Sequence, residues 1–536
     1  MSRPDWRYYR ARSRARGRGR QRARPKTARE AVEALLEERL ERRGFPPALE
    51  LAATGVAEAA AGKAGSRRDL TELRTYTVDP ATARDFDDAI SAQREGDGAR
   101  IWVHIADVAT HVKPGSPLDL EARRRANSTY APGTVEPMLP HALSSEACSL
   151  APGVERLAVT AEIELAADGS PRAVSFYRSR IRSDARLDYD QLDAIFAGRA
   201  QAPESVAGPL AVAREVAAAL GEHRGAGSLD LESFEPEFHF DSEGNPTSAH
   251  SVAQTESHRL IERLMILANE QVAGLLERKR VPAIYRVHPP PDSQRIERLI
   301  AQLHALGVPT PPLREGLAPT QAGEVAVEAS RLARQEAARR GHGREAYTSL
   351  VLRSLQQARY SERNSGHAGL GSLAYCHFTS PIRRYPDLVV HRALLAALGE
   401  GEEAPRAGEA RDVAQHCSER ERDSAQIERD ADDICAAFLL ERELAERDGE
   451  MGFEGEVMGV IRAGAFVGFE GELGDVYEGF LPARLLGGER FELDETETAL
   501  AGSESARALR LGDPVSVRVT AVDAPRGRVD LEPVNG

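Results

Sequence analysis

Residues 75–91 read TYTVDPATARDFDDAIS, and the organisation of the chain follows from that stretch. Asp79, Asp85, Asp87 and Asp88 fall within ten residues, at spacings of six, two and one, directly after the β-prone run RTYTV. Carboxylates this close repel one another and raise one another's pKa, so the segment predicts a positive partner. On an extended segment, residues 85 and 87 face one side and 88 the other, and a bend at DPAT can return Asp79 to them. Clustered carboxylates are hard oxygen ligands suited to Mg²⁺ or Mn²⁺. The spacing is not that of a calcium-binding EF loop. Two divalent ions roughly 3.5–4 Å apart can activate water and stabilise a leaving oxygen in phosphodiester hydrolysis. Spacing alone leaves metal catalysis and a capping or salt-bridge cluster both open.

Strand-like pieces surround the aspartates. ARIWVHIADVATHV alternates Ile101, Val103 and Ile105 against Trp102 and His104, and RLAVTAEIEL continues the pattern. From about residue 256 the pattern turns helical, through ESHRLIERLMILANEQVAGLLERK, REAYTSLVLRSLQQARY, DLVVHRALLAAL and a long stretch over 409–447. Beyond it, about five short strands punctuated by Gly and Asp predict a small OB-type barrel, a form that often binds single-stranded nucleic acid in a basic, aromatic groove. The whole predicts an α+β chain with a small all-β barrel at its end.

At the other end, residues 1–26 hold eleven Lys or Arg and one Asp, about +10. The chain of 536 residues has net charge −14, so the remainder carries about −24 (−14 minus +10). A basic tail on an acidic body suits a nucleic-acid partner, although a solubility or self-association tail has the same composition. Thr27 with Glu30 predicts a capping box opening a helix. Val32, Leu35, Leu36 and Leu40 share one face of it, and Gly44 is its expected end. No run approaches the roughly 18 apolar residues of a membrane span. Cys148, Cys376, Cys417 and Cys435 are scattered with no CxxC pair, which predicts free thiols and a reducing cytoplasm.

DPATARDFDDAI resembles the catalytic signature of the RNB family of exoribonucleases, the RNase II and RNase R group. The likeness continues through WVHIADVATHV, PLDLEARRRANSTYAPGTVEPMLPHALSSEACSL, ESHRLIERLMILANE and YCHFTSPIRRYPDLVVHR, and the terminal barrel resembles the S1 type. Composition gives a tail (1–26) and a helical connector (27–66), and the resemblance implies an RNB catalytic domain (67–447) and an S1-type domain (448–536). It implies a Mg²⁺-dependent hydrolase, with Mn²⁺ as a substitute, that digests single-stranded RNA from the 3′ end to nucleoside 5′-monophosphates. The expected partner is single-stranded RNA, with no DNA substrate and no membrane, and the expected state is a monomer.

By motif, Asp79, Asp85, Asp87 and Asp88 would hold metal and scissile phosphate, with Asp87 the most critical. Arg383 in TSPIRRY would contact the phosphate with its fork of donors, and Glu428 in IERDAD would be an active-site acid. Tyr130 in STYAPG would stack on a base. Tyr189 in ARLDYDQL and Glu262 in RLIERLM would lie at the terminal nucleotides and help tell RNA from DNA by the 2′-OH. Two departures stand out. Where RNase II has a second stacking aromatic, this sequence has Leu231 in GSLDLESF, with Phe234 three residues on. Typical members place two cold-shock barrels before the RNB domain, whereas the 66 residues before RRDLTEL read as a basic tail and helix.

Overall fold

The computed structural model describes residues 24–60, 67–224, 235–252, 254–313, 316–446, 452–471 and 476–534. Leu231, Phe234 and residues 1–23 of the basic tail lie outside the described residues.

The platform is a seven-stranded sheet. Its strands are β1 (Arg68–Asp69), β2 (Tyr76–Val78), β3 (Asp88–Glu95), β4 (Gly98–Ala106), then, after a hairpin of β5 (Thr129–Ala131) and β6 (Thr134–Glu136), β7 (Glu155–Leu165), β8 (Pro171–Arg182) and β9 (Ala185–Leu187). They lie in the order β1-β8-β7-β4-β3-β2-β9, with the β1–β8 and β2–β9 pairs parallel and the others antiparallel. The alternation in β4 does not mark a wet face: Trp102 and His104 are as inaccessible as their neighbours. His104 is accommodated by two hydrogen-bonding hydroxyls, Ser91 at 3.1 Å and Thr160 at 2.9 Å. Burial therefore pushes its imidazole far below the usual range and keeps it neutral.

Helices Ala207–Arg224, Glu256–Lys279 and Tyr385–Leu398 join the sheet in one large apolar core. The helix Ala407–Glu446 has 40 residues, about 60 Å at the rise of an α-helix, and contributes to three cores. Ala410, Val413 and Cys417 enter the main core. Ile427, Ala431 and Ile434 pack on Val32 and Leu36 of the helix Ala28–Arg39. Leu439 and Leu440 enter the barrel core.

That barrel is closed by Gly452–Ile461, Gly464–Glu470, Val476–Pro482, Arg528–Pro533 and Pro514–Asp523, in that order. The expected five strands thus exist, but Phe491–Leu493, Ala499–Gly502 and Ala508–Arg510 add a separate three-stranded sheet. Phe453, Phe469 and Tyr477 point into the barrel core rather than lining a surface groove. Among the bonds that tie the barrel down, the Tyr477 hydroxyl donates to Glu443 of the long helix (2.9 Å), and the Gly343 amide donates to Glu456 (2.6 Å).

Near the amino terminus, Thr27 caps its helix by accepting the Glu30 amide (3.2 Å), but the box is half made, because Glu30 takes the Lys26 amide instead (2.7 Å). The helix stops at Arg39, well before Gly44. The four cysteines are free and buried. Among the described residues, no helix is long and apolar enough to cross a membrane.

Candidate active site

Sheet topology gathers the aspartates. β2 ends one residue before Asp79, and β3, its antiparallel neighbour, begins at Asp88. β9 runs parallel to β2 and ends beside it, where the Asp79 amide donates to Leu187 O (3.3 Å) and the chain continues into Tyr189. The DPAT bend exists, with the Ala83 amide on Pro80 O (3.0 Å). Residues 85–87 are not a strand, so the expected alternation of faces does not apply there; individual hydrogen bonds aim each side chain. Ser149, fully buried, clamps this loop. Its hydroxyl donates to Arg84 O (2.9 Å) and accepts the Phe86 amide (3.0 Å), which holds the peptide on both sides of Asp85.

Asp87 is 4% exposed. One of its oxygens accepts the Ile382 amide at 2.8 Å, and the other lies 3.7 Å from the Arg383 guanidinium with no hydrogen-bond partner. Asp79 Oδ2 and Asp88 Oδ2 are also buried without a partner. Burial raises the Asp87 carboxyl well above the usual range, against the pull of Arg383. Burial and the charge of Asp88 lift Asp79 to about 8, and burial lifts Asp88 to about 6. Three buried, unpartnered carboxyl oxygens remain short of positive charge although Arg383, Arg384 and Arg186 all pull on the cluster. That donor set fits Mg²⁺ or Mn²⁺ of the open kind, which binds one or two carboxylates and completes its shell with water and substrate phosphate. It is not a closed cage: among the described residues, no three His, Cys, Asp or Glu side chains converge to hold an ion by themselves.

The cluster has a measurable consequence for stability. The Asp79 carboxyl titrates near 8 in the folded chain against an ordinary 3.8. Between those values the folded state binds more protons than the unfolded state, so stability falls as pH rises through that window. Asp79→Asn is expected to raise the stability of chelator-treated protein by about 1–3 kcal/mol at pH 8 and to change little near pH 4. Mg²⁺ is expected to raise the melting temperature of the unsubstituted chain more than that of the variant. Thermal melts at both pH values, with and without Mg²⁺, read this directly, and an equal response to Mg²⁺ would remove Asp79 from the ligand set.

Other expected residues meet the same place. The Tyr130 hydroxyl lies 3.4 Å from Asp85 Oδ2. The Tyr130 amide donates to Glu428 (2.8 Å), and the Ser424 hydroxyl also donates to that carboxylate (3.2 Å). Glu428 therefore anchors the hairpin that carries Tyr130. Tyr189 opens its helix after Asp188, which makes a complete capping box with Gln191. Burial, with Asp88 and Asp79 nearby, raises its phenol. Its ring stacks on His258, with centroids 3.9 Å apart and planes 10° apart. His258 was missed by sequence reasoning, although it stands one helical turn before Glu262, which is exposed. The only sequence signal was that helical spacing. Arg383 donates to Ser380 Oγ at 3.4 Å, and Asp387 shapes its loop by accepting the Ser380 amide and Arg384 Nη2 (2.8 and 2.7 Å).

An RNB domain matches residues 67–400. The chain belongs to the RNB family. Behind the RNB domain, an S1 RNA binding domain matches residues 450–532 and contains the closed barrel. Ribonuclease R of Aquifex aeolicus (strain VF5) is 36% identical over 481 residues, 87% of this chain and 64% of that protein. Ribonuclease R of Escherichia coli (strain K12) is 35% identical over 509 residues, 91% of this chain and 60% of that protein. The chain therefore spans 60–64% of the length of these two curated relatives. A solved structure of Mycoplasma genitalium RNase R in complex with ribose methylated single-stranded RNA matches with a TM-score of 0.85 at 26% identity, covering 95% of this chain and 78% of that one.

Proposed function

We propose that this RNB chain is a hydrolytic 3′-to-5′ exoribonuclease of the RNase II type. It works as a cytoplasmic monomer, degrades single-stranded RNA processively to nucleoside 5′-monophosphates and spares DNA. The observation that carries this reading is the set of three unpartnered carboxylate oxygens of Asp79, Asp87 and Asp88, with Arg383 3.7 Å from Asp87 and acting electrostatically on the other two. With Asp85, these residues would hold Mg²⁺ or Mn²⁺, and a pair of such ions supplies an activated water and stabilisation of the leaving oxygen.

The protein's own groups do the rest. Arg383 binds non-bridging phosphate oxygens and offsets the charge that builds on them. Tyr130 offers an exposed face to a base while Glu428 holds its backbone. Tyr189, steadied by His258, and Glu262 read the terminal sugar, whose 2′-OH distinguishes RNA. The S1 domain grips RNA upstream, and the basic residues of 1–26 add sequence-independent phosphate contacts.

The test is a 3′-labelled single-stranded RNA beside the matching DNA, with and without EDTA. Mononucleotide release from RNA alone, stopped by EDTA and restored by Mg²⁺ or Mn²⁺, is expected. RNA binding without cleavage would make the chain a silent RNA-binding member, and equal cleavage of DNA would overturn the sugar-reading roles.

Tyr130→Ala is expected to lengthen the limit product more than it slows initial digestion. Base stacking contributes about 1–3 kcal/mol, and a short end without it dissociates earlier. Denaturing gels of a digested homopolymer measure this. An unchanged limit length would leave Tyr130 as a hairpin residue.

A further inference from the structure

Arg383 also belongs to a second neighbourhood, a cavity of about 150 Å³ that it lines together with Tyr130, Asn127, Tyr360, Arg384 and Glu421 and that none of the four aspartates lines. The volume is that of about five water molecules at about 30 Å³ each, room for a phosphate group and part of a sugar. Three features mark its wall. Ala126 has φ +63° and ψ −32°, a conformation that a residue with a Cβ rarely adopts, yet it is 1% exposed. Hydrogen bonds at both of its peptide groups hold it there: its amide donates to Ala122 O and its carbonyl accepts the Tyr385 amide, each at 2.8 Å. Next to it, Asn127 Oδ1 is a buried acceptor without a donor. Its antiparallel bridge partner Arg384 carries Nε as a buried donor without an acceptor. Strain held in place beside two unmet polar atoms of opposite kind describes a site awaiting a ligand that carries both acceptor oxygens and a hydroxyl.

We propose that this cavity is a product pocket that receives the phosphate and ribose of the released nucleoside 5′-monophosphate, an inference that rests on the exoribonuclease reading. In that reaction the water oxygen joins phosphorus and the P–O3′ bond breaks. The proton balance leaves a 3′-hydroxyl on the shortened RNA, and the phosphate stays on the departing nucleotide. The product is then a dianion that must leave the cluster before the next phosphate can enter. Arg383 reaches both compartments, and Arg384 continues the positive path into the cavity. There Arg384 Nε donates to a phosphate oxygen and Asn127 Oδ1 accepts from a ribose hydroxyl. Glu421 sets the tightness of the grip: it is the carboxylate in the lining, and its pairing with Arg286 at 2.6 Å keeps its charge from closing the pocket to anions. A loose grip suits an enzyme that must empty the site at each turn.

The experiment is product inhibition of the full chain on single-stranded RNA by 5′-AMP, with adenosine and inorganic phosphate as separate arms. 5′-AMP is expected to inhibit more strongly than either fragment; equal inhibition by adenosine overturns phosphate recognition. Asn127→Ala is expected to raise the 5′-AMP inhibition constant about tenfold, the effect of a lost hydrogen bond in a buried polar site, with RNA affinity little changed. Glu421→Gln is expected to act in the opposite direction, lowering that constant about threefold by removing a negative charge. Should Asn127→Ala fail to fold, Glu421→Gln decides alone. An inhibition constant unmoved by either folded variant overturns the pocket. Calorimetric binding of 5′-AMP to the full chain separates the two readings. A chain that leaves RNA intact but binds 5′-AMP through Asn127 loses the nuclease reading and keeps the pocket. A chain that cleaves RNA with inhibition indifferent to Asn127 keeps the nuclease reading and loses the pocket.

Discussion

Asp87→Asn is expected to reduce RNA hydrolysis by about 10³-fold or more while RNA affinity stays within about twofold. The asparagine keeps a carbonyl oxygen where Asp87 Oδ1 accepts the Ile382 amide, so the loop has no reason to move. What changes is the other side of the group. A neutral NH₂ replaces the unpartnered Oδ2, which removes a hard anionic ligand and sets a donor against the Arg383 guanidinium. On the proposed reading, RNA affinity rests on contacts along the whole strand, those of the S1 domain among them, and this change leaves them in place. Single-turnover rates and binding isotherms on one oligonucleotide separate the two quantities. A variant that cleaves within tenfold of the unsubstituted chain would overturn the assignment of Asp87 to metal and phosphate.

Arg383→Ala is expected to cost about 10²–10³-fold in kcat with a smaller change in KM. Its contacts are long ones, 3.7 Å to Asp87 and 3.4 Å to Ser380 Oγ, so in the absence of RNA the guanidinium is held loosely. Its attraction grows as negative charge builds on the phosphate oxygens, which is the condition for raising kcat rather than affinity. Arg383→Lys restores the charge but not the planar fork and should recover only part of the rate. Equal losses in KM and kcat/KM with kcat unchanged would make Arg383 a ground-state anchor.

The aspartates, the tyrosines and Arg383 were legible as a motif because their residue types and order are local properties of the chain. The strand run of β2, the helices after residue 256 and the terminal barrel were also legible, from β-prone residues, from apolar residues at helical spacing and from short strands punctuated by Gly and Asp. Charge was legible too, in the contrast between residues 1–26 and the rest.

Tertiary structure alone decided how the motif works. Asp79 and Asp88 share a place because β2 pairs with β3, and Tyr189 joins them because β9 runs parallel to β2, an arrangement that depends on chain segments about a hundred residues apart. The clamp at Ser149, the role of Asp387 beneath Arg383 and the His258 stack under Tyr189 leave no periodic trace, since each is one side chain meeting a distant segment. The same holds for the pKa values. Sequence spacing indicated repulsion among the aspartates, but the leading cause of each shift is burial, a quantity set by everything that packs around the group.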